Sequence, residues 1–124
     1  DLQDAVCVAE LRLPLIEELF EVSRSYVPLP RFPSVSRDLN FVLPESVSWA
    51  QLSETVSRSA GTLLLGTSFG GQYRGKQIEH DYKSYLITCR FMASDRTLTT
   101  DEVDTVIRNV ITECESQLSA KLRA

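Results

Sequence analysis

Phe32-Pro33-Ser34-Val35-Ser36-Arg37-Asp38-Leu39-Asn40-Phe41-Val42 decides the fold of this chain. Pro33 fixes an extended entry. Leu39, Phe41 and Leu43 then alternate with Asp38, Asn40 and Val42, the period-2 pattern of a strand with one strongly apolar face. Arg37 and Asp38 place a charged pair inside that strand. Upstream, Tyr26 to Pro33 holds Pro28, Pro30 and Pro33, which reads as an extended linker with a boundary near Phe32. Earlier still, Ala5 to Leu13 is rich in strand formers, and Pro14 sits where a helix of about two turns, reaching Val22, would begin. Such a unit cannot bury its own faces, which suits the tail of a preceding domain.

Downstream, Ser48 and Gln51 have capping-box spacing, and Trp49, Leu52 and Val56 share one helical face until Gly61 ends the run. Thr62 to Tyr73 offers a second strand, interrupted by Gly66, Gly70 and Gly71, before a polar loop from Arg74 to Asp81. Tyr82 to Met92 is a third strand, with Tyr85, Ile87, Cys89 and Phe91 facing one way and Ser84, Leu86, Thr88 and Arg90 the other. A second capping box, Thr99 with Glu102, opens a helix whose apolar stripe runs from Val103 through Val106, Ile107, Val110, Ile111 and Cys114 to Leu118. Lys121 to Arg123 can close the sheet as an edge strand. The order is βαββαβ, an α+β ferredoxin-like arrangement in which both helices cover one face of an antiparallel sheet and the other face stays open.

At 124 residues, with 43% hydrophobic and 24% charged side chains, the chain can bury a core of one domain plus an appendage. Its apolar runs fall far short of the roughly 20 residues of a membrane span. A secretory signal is not legible at Asp1. Cys7, Cys89 and Cys114 are too few and too scattered for a disulfide framework or zinc site and read as buried, reduced thiols. His80 is the only histidine, which excludes a His-paired nucleophile or a multi-His metal site within the chain and suits a solvated loop. The glycines match no phosphate-cradling spacing. Asp101, Glu102 and Asp104 read as the acidic first turn of a helix, favoured by its dipole, rather than as a metal site. No metal ligand set or catalytic group is expected.

The formal net charge of −4 argues against bulk electrostatic binding of nucleic acid. The acidity is uneven: residues 1–31 carry three basic and six acidic side chains, residues 32–124 ten and eleven. A local cationic face therefore remains open to residues 32–124. Tyr73 beside Arg74 and Lys76, with Ser84 on the face opposite the core, supplies a ring for base stacking, a hydroxyl for a base edge and cations for phosphates. On residues alone, a solvated or protein-covered face is the commoner outcome for such a set.

In order and spacing, four motifs resemble the ferredoxin-fold anticodon-binding domain of bacterial phenylalanyl-tRNA synthetase β subunits. They are Phe32-Pro33 with Arg37-Asp38-Leu39, the turn Tyr73-Arg74-Gly75, the strand start Lys83-Ser84, and Arg96-Thr97-Leu98-Thr99 followed by Glu102-Val103. The last is the most specific, because an arginine, a capping threonine and a capping glutamate must coincide. The resemblance covers residues 32–124; residues 1–31 resemble the end of the catalytic-like domain that precedes this module, including Glu10-Leu11-Arg12-Leu13. It implies that the open face binds the anticodon loop of tRNA(Phe), with Tyr73 stacking on a base and Ser84 bonding near it. Lys83, Arg74 and Lys76 would touch the RNA backbone, and Arg37, Asp38 and Arg96 would be architectural, the first two pairing with each other or with strand ends and Arg96 bracing the second helix. It further implies a cytoplasmic holoenzyme of two α and two β subunits, with ATP, magnesium and amino-acid ligation at the α subunit, no cofactor here, and neither DNA nor membrane as partner. One departure stands out: the family usually has Phe-Asp-x-Tyr at the end of the second strand, where this chain has Gly70-Gly71-Gln72-Tyr73. The base-reading carboxylate is absent, which leaves Gln72, Asp81 or a backbone group to substitute, or base reading relaxed. Two readings from other classes share the topology: a protein-binding or regulatory module, and a small phosphate-handling enzyme.

Overall fold

The computed structural model describes residues 6–20 and 29–123. Strand β1 runs Val35–Pro44, and its burial alternates as the apolar pattern requires, with Leu39, Phe41 and Leu43 inward. Helix α2, Trp49–Ala60, follows a complete capping box in which the Ser48 side chain accepts from the Gln51 backbone and the Gln51 side chain accepts from the Ser48 backbone. A short 3-10 turn, Gly61–Leu63, delays strand β2 to Leu64–Tyr73, two residues later than the sequence suggests. Strand β3 spans Tyr82–Phe91, helix α3 Thr100–Leu118 and strand β4 Lys121–Leu122.

The four strands stand in the order β2-β3-β1-β4 and all pairings are antiparallel. This is the ferredoxin-like arrangement, with β1 and β3 central. Both helices pack together on one face. Leu52 and Val56 of α2, Val103, Val110 and Cys114 of α3, and Phe41, Leu43, Ile87, Cys89 and Phe91 of the sheet form the core. Trp49, Phe69 and Tyr85 extend it toward the β2 edge as three edge-to-face rings, with centroids 5.1 to 6.0 Å apart. Burial pushes the Cys89 thiol up to about 11 and the Cys114 thiol to about 12, so both are neutral core groups.

Upstream, the structure departs from expectation. Helix α1 is Leu13–Leu19, with proline in its first turn; the extension to Val22 falls outside the described residues. Val6–Arg12 has no regular structure, so the expected strand is absent there, Ala5 lying outside the described residues. A strand needs a neighbour for its backbone groups, and none is provided among the described residues. Nothing in α1 is buried. Cys7 is correspondingly exposed rather than a buried thiol.

Candidate nucleic-acid interface

Strand parity assigns each expected site residue to a face. Tyr73 pairs with Ser84 across β2 and β3, Gly71 pairs with Leu86, and Asn40 of β1 pairs with Leu86 from the other side. Paired residues share a face. Leu39 and Phe41 point to the helices, so Asn40, Ser84, Leu86, Gly71 and Tyr73 lie on the open side. They enclose, with Gln72, a shallow cleft of about 240 Å³. Tyr73 and Ser84 are thus brought together as the sequence suggests.

The cleft owes its shape to glycine. The register shifts between Phe69 and Gly71, which makes Gly70 the extra residue of a β-bulge. A Cβ on Gly70 would lie 2.8 Å from the Leu86 side chain, so Leu86 can sit against the strand only because that Cβ is missing. Gly71 has φ +154, which L residues rarely adopt. A carboxylate at position 71 is therefore disfavoured by the backbone itself. Tyr73 is 48% exposed at the cleft mouth.

Ser84 is only 3% exposed, and its hydroxyl donates to Oδ1 of Asn40. Asn40, absent from the sequence-predicted set, is thereby part of the cleft. The alternation of β1 already carried the signal, since Asn40 falls between two core-facing residues and must face the other way. Nearby on the same face, Thr88 donates to Asp38 Oδ1 at 2.6 Å.

The cations divide. Arg74, at the end of β2, donates through Nε to both carboxylate oxygens of Glu45, at 3.0 and 3.1 Å, and its NH2 also meets Glu45. That bond holds the Glu45 carboxyl below its ordinary range and raises the guanidinium. Lys76 is exposed in the following loop. Lys83 lies on the other side of the sheet: it is 5% exposed, its Nζ donates to the Glu45 carbonyl at 2.7 Å, and it stands 4.9 Å above the Tyr85 ring. The Lys83-Ser84 pair is split between faces because neighbours in a strand always are.

The same rule separates Arg37 from Asp38, which do not pair with each other. Arg37 turns toward α3, with NH2 3.9 Å from Asp104, and Asp38 faces the open side. Arg96 braces the start of α3, donating to Glu102 through NH2 at 2.7 Å and to Asp95 through NH1 at 3.0 Å. His80 is fully exposed in the loop before β3, beside Asp81. Among the described residues no group of three or more His, Cys, Asp or Glu side chains could hold a metal ion, and no helix is long and apolar enough to cross a membrane.

A family model described as ferredoxin-fold anticodon binding domain matches residues 30–123. Relatives named phenylalanine–tRNA ligase beta subunit include that of Clostridium acetobutylicum, 31% identical over 99% of this chain and 16% of the relative. That of Xanthomonas euvesicatoria pv. vesicatoria is 34% identical over 100% of this chain and 15% of its own length. That of Halalkalibacterium halodurans is 37% identical over 88% of this chain and 13% of its own length. The chain thus spans less than a fifth of these relatives.

Proposed function

Since the chain belongs to the ferredoxin-fold anticodon binding domain family, we propose that its open sheet face binds the anticodon loop of tRNA(Phe) as part of a phenylalanyl-tRNA synthetase β subunit. The observation that carries this reading is the half-exposed Tyr73 ring at the mouth of a cleft floored by Leu86 and Ser84. A flipped-out base stacks on such a ring at little cost in sequence preference, and neighbouring polar groups read its edge.

Lys76, in the loop that follows Tyr73, is suited to a phosphate. Arg74 reaches the RNA backbone while it remains tied to Glu45. Lys83 supports the site from behind. Residues 32–124 form the RNA-binding unit, and residues 1–31, whose described apolar side chains lie exposed, end a preceding domain and its linker. In the whole enzyme, a cytoplasmic assembly of two α and two β subunits, ATP and magnesium serve amino-acid ligation at the α subunit; this segment contributes recognition.

An NMR titration of the 124-residue chain with a stem-loop carrying the phenylalanine anticodon, against one with the anticodon scrambled, tests the reading. Selective shifts at Tyr73 and Ser84 with the correct loop are expected. Equal shifts with both loops would reduce the interaction to shape and charge. No shifts would turn the open face over to a protein partner.

A further inference from the structure

The hydroxyl of Ser84, the natural candidate for reading a base edge, has its proton committed to Asn40 and is nearly buried. Gly71 brings no side chain to the cleft. Gln72, also on the cleft, lays its amide against the Arg74 guanidinium, which leaves the other end of the Asn40 amide. Its Oδ1 accepts from Ser84, so Nδ2 is the end turned to the cleft. Its Nδ2 has no acceptor among the described residues, and no buried side-chain nitrogen or oxygen there lacks a partner. The amide nitrogen is therefore solvent-accessible, on the wall of a cleft whose floor is the apolar Leu86.

Resting on the anticodon-loop reading above, we propose that Asn40 is a residue of this cleft that determines base specificity, its Nδ2 donating to O6 of guanine or O4 of uracil in a base stacked on Tyr73. An amide with its nitrogen outward offers donors. Bases that present an exocyclic amino group there, adenine or cytosine, would set donor against donor and leave both unpaired. Ser84 acts through Asn40 as a positioning residue. Buried and bonded to Oδ1, it holds one end of the amide against the sheet.

The test is affinity for the phenylalanine anticodon stem-loop and for the same loop with its guanine replaced by 2-aminopurine, which keeps the stacking ring but lacks the O6 carbonyl. The wild-type chain should prefer guanine by about 3- to 10-fold, the worth of one hydrogen bond. Asn40→Asp keeps the acceptor for Ser84 and hence the fold, checked by its NMR spectrum, but places a carboxylate oxygen where the donor stood. It should abolish the preference, as should Asn40→Ala. Ser84→Ala should reduce it while leaving stacking on Tyr73 intact. Discrimination unchanged in Asn40→Asp would overturn the assignment of Asn40 while leaving anticodon binding standing. A wild-type chain that binds neither loop would overturn both, and loss of binding to both loops in Tyr73→Ala but not in Asn40→Asp separates stacking from edge reading.

Discussion

The hydroxyl end of Tyr73 rests on the backbone of Gly75: a Cβ built on Gly75 would lie 2.6 Å from the ring carbon Cζ. Two residues of one turn thereby set the pose of the ring that bases are proposed to stack on. In Gly75→Ala the far end of a half-exposed side chain must give way, which is cheap for folding. The melting temperature should barely move, while the ring leaves its place at the cleft mouth. Binding to the anticodon stem-loop should weaken toward the level of Tyr73→Ala, for which about 1 to 3 kcal/mol is expected from one base stack. Isothermal titration of both variants, with thermal melts alongside, checks this; wild-type affinity in Gly75→Ala would mean that the pose is irrelevant.

A side chain at position 71 meets a backbone shaped for glycine. Gly71 has φ +154, and its Cβ position is otherwise open, with nothing within 4 Å. The cost of a side chain there is therefore backbone strain rather than collision, about 1 to 3 kcal/mol. Gly71→Ala and Gly71→Asp should lose the same stability in urea denaturation. A loss confined to Gly71→Asp would point to charge instead.

Lys76 and Lys83 carry equal charge and should behave oppositely. Lys76→Ala should leave stability unchanged and reduce the slope of log affinity against log salt by about 0.7, the share of one phosphate contact on single-stranded RNA. Lys83 spends its ammonium on the Glu45 carbonyl at 2.7 Å and lies 5% exposed behind the sheet. Lys83→Met should cost about 1.5 to 3 kcal/mol of stability, the range for a hydrogen bond from a charged donor, with the salt slope unchanged. The crossed pattern, read by titrations at several salt concentrations and by denaturation, distinguishes the two roles.

The sequence was most legible where structure is local. Ser48 with Gln51 and Thr99 with Glu102 both form their capping boxes, and the alternation in β1 and β3 assigns core and open faces correctly. Lys83 lies on the helix side, as the same alternation carried one step back from Tyr85 implies; adjacency in Lys83-Ser84 says nothing of a shared face, because a strand splits neighbours. Asn40 was equally readable by parity. The tie between Arg74 and Glu45 was not, because 29 positions separate them and only the return of β2 beside β3 brings them near. Nor does a string of glycines reveal that Gly70 is the bulged residue, since that depends on pairing register. The segment before Phe32 failed for a related reason: strand propensity around Val6 and Val8 has no partner strand to act on among the described residues.

Glu102 gives the domain a predictable response to acid. Its carboxylate accepts from the Thr99 backbone N–H at 2.9 Å, from Arg96 NH2 at 2.7 Å and from the Thr99 hydroxyl at 3.0 Å. With the backbone bond first, these hold its pKa at about 2, against an ordinary 4.5. A carboxyl whose folded pKa lies below its unfolded one binds more protons when unfolded, so its contribution is present in full above about 4.5 and is lost as pH falls toward about 2. Glu102→Gln keeps the capping geometry and removes the charge. The melting temperature of the wild-type chain should exceed that of the variant at pH 6, and the two curves should converge between pH 4.5 and pH 2. Arg96→Met should behave in parallel, since it removes one of the groups that depress the carboxyl. A gap between wild type and Glu102→Gln that stays constant down to pH 2 would mean that the side chain matters for its shape alone.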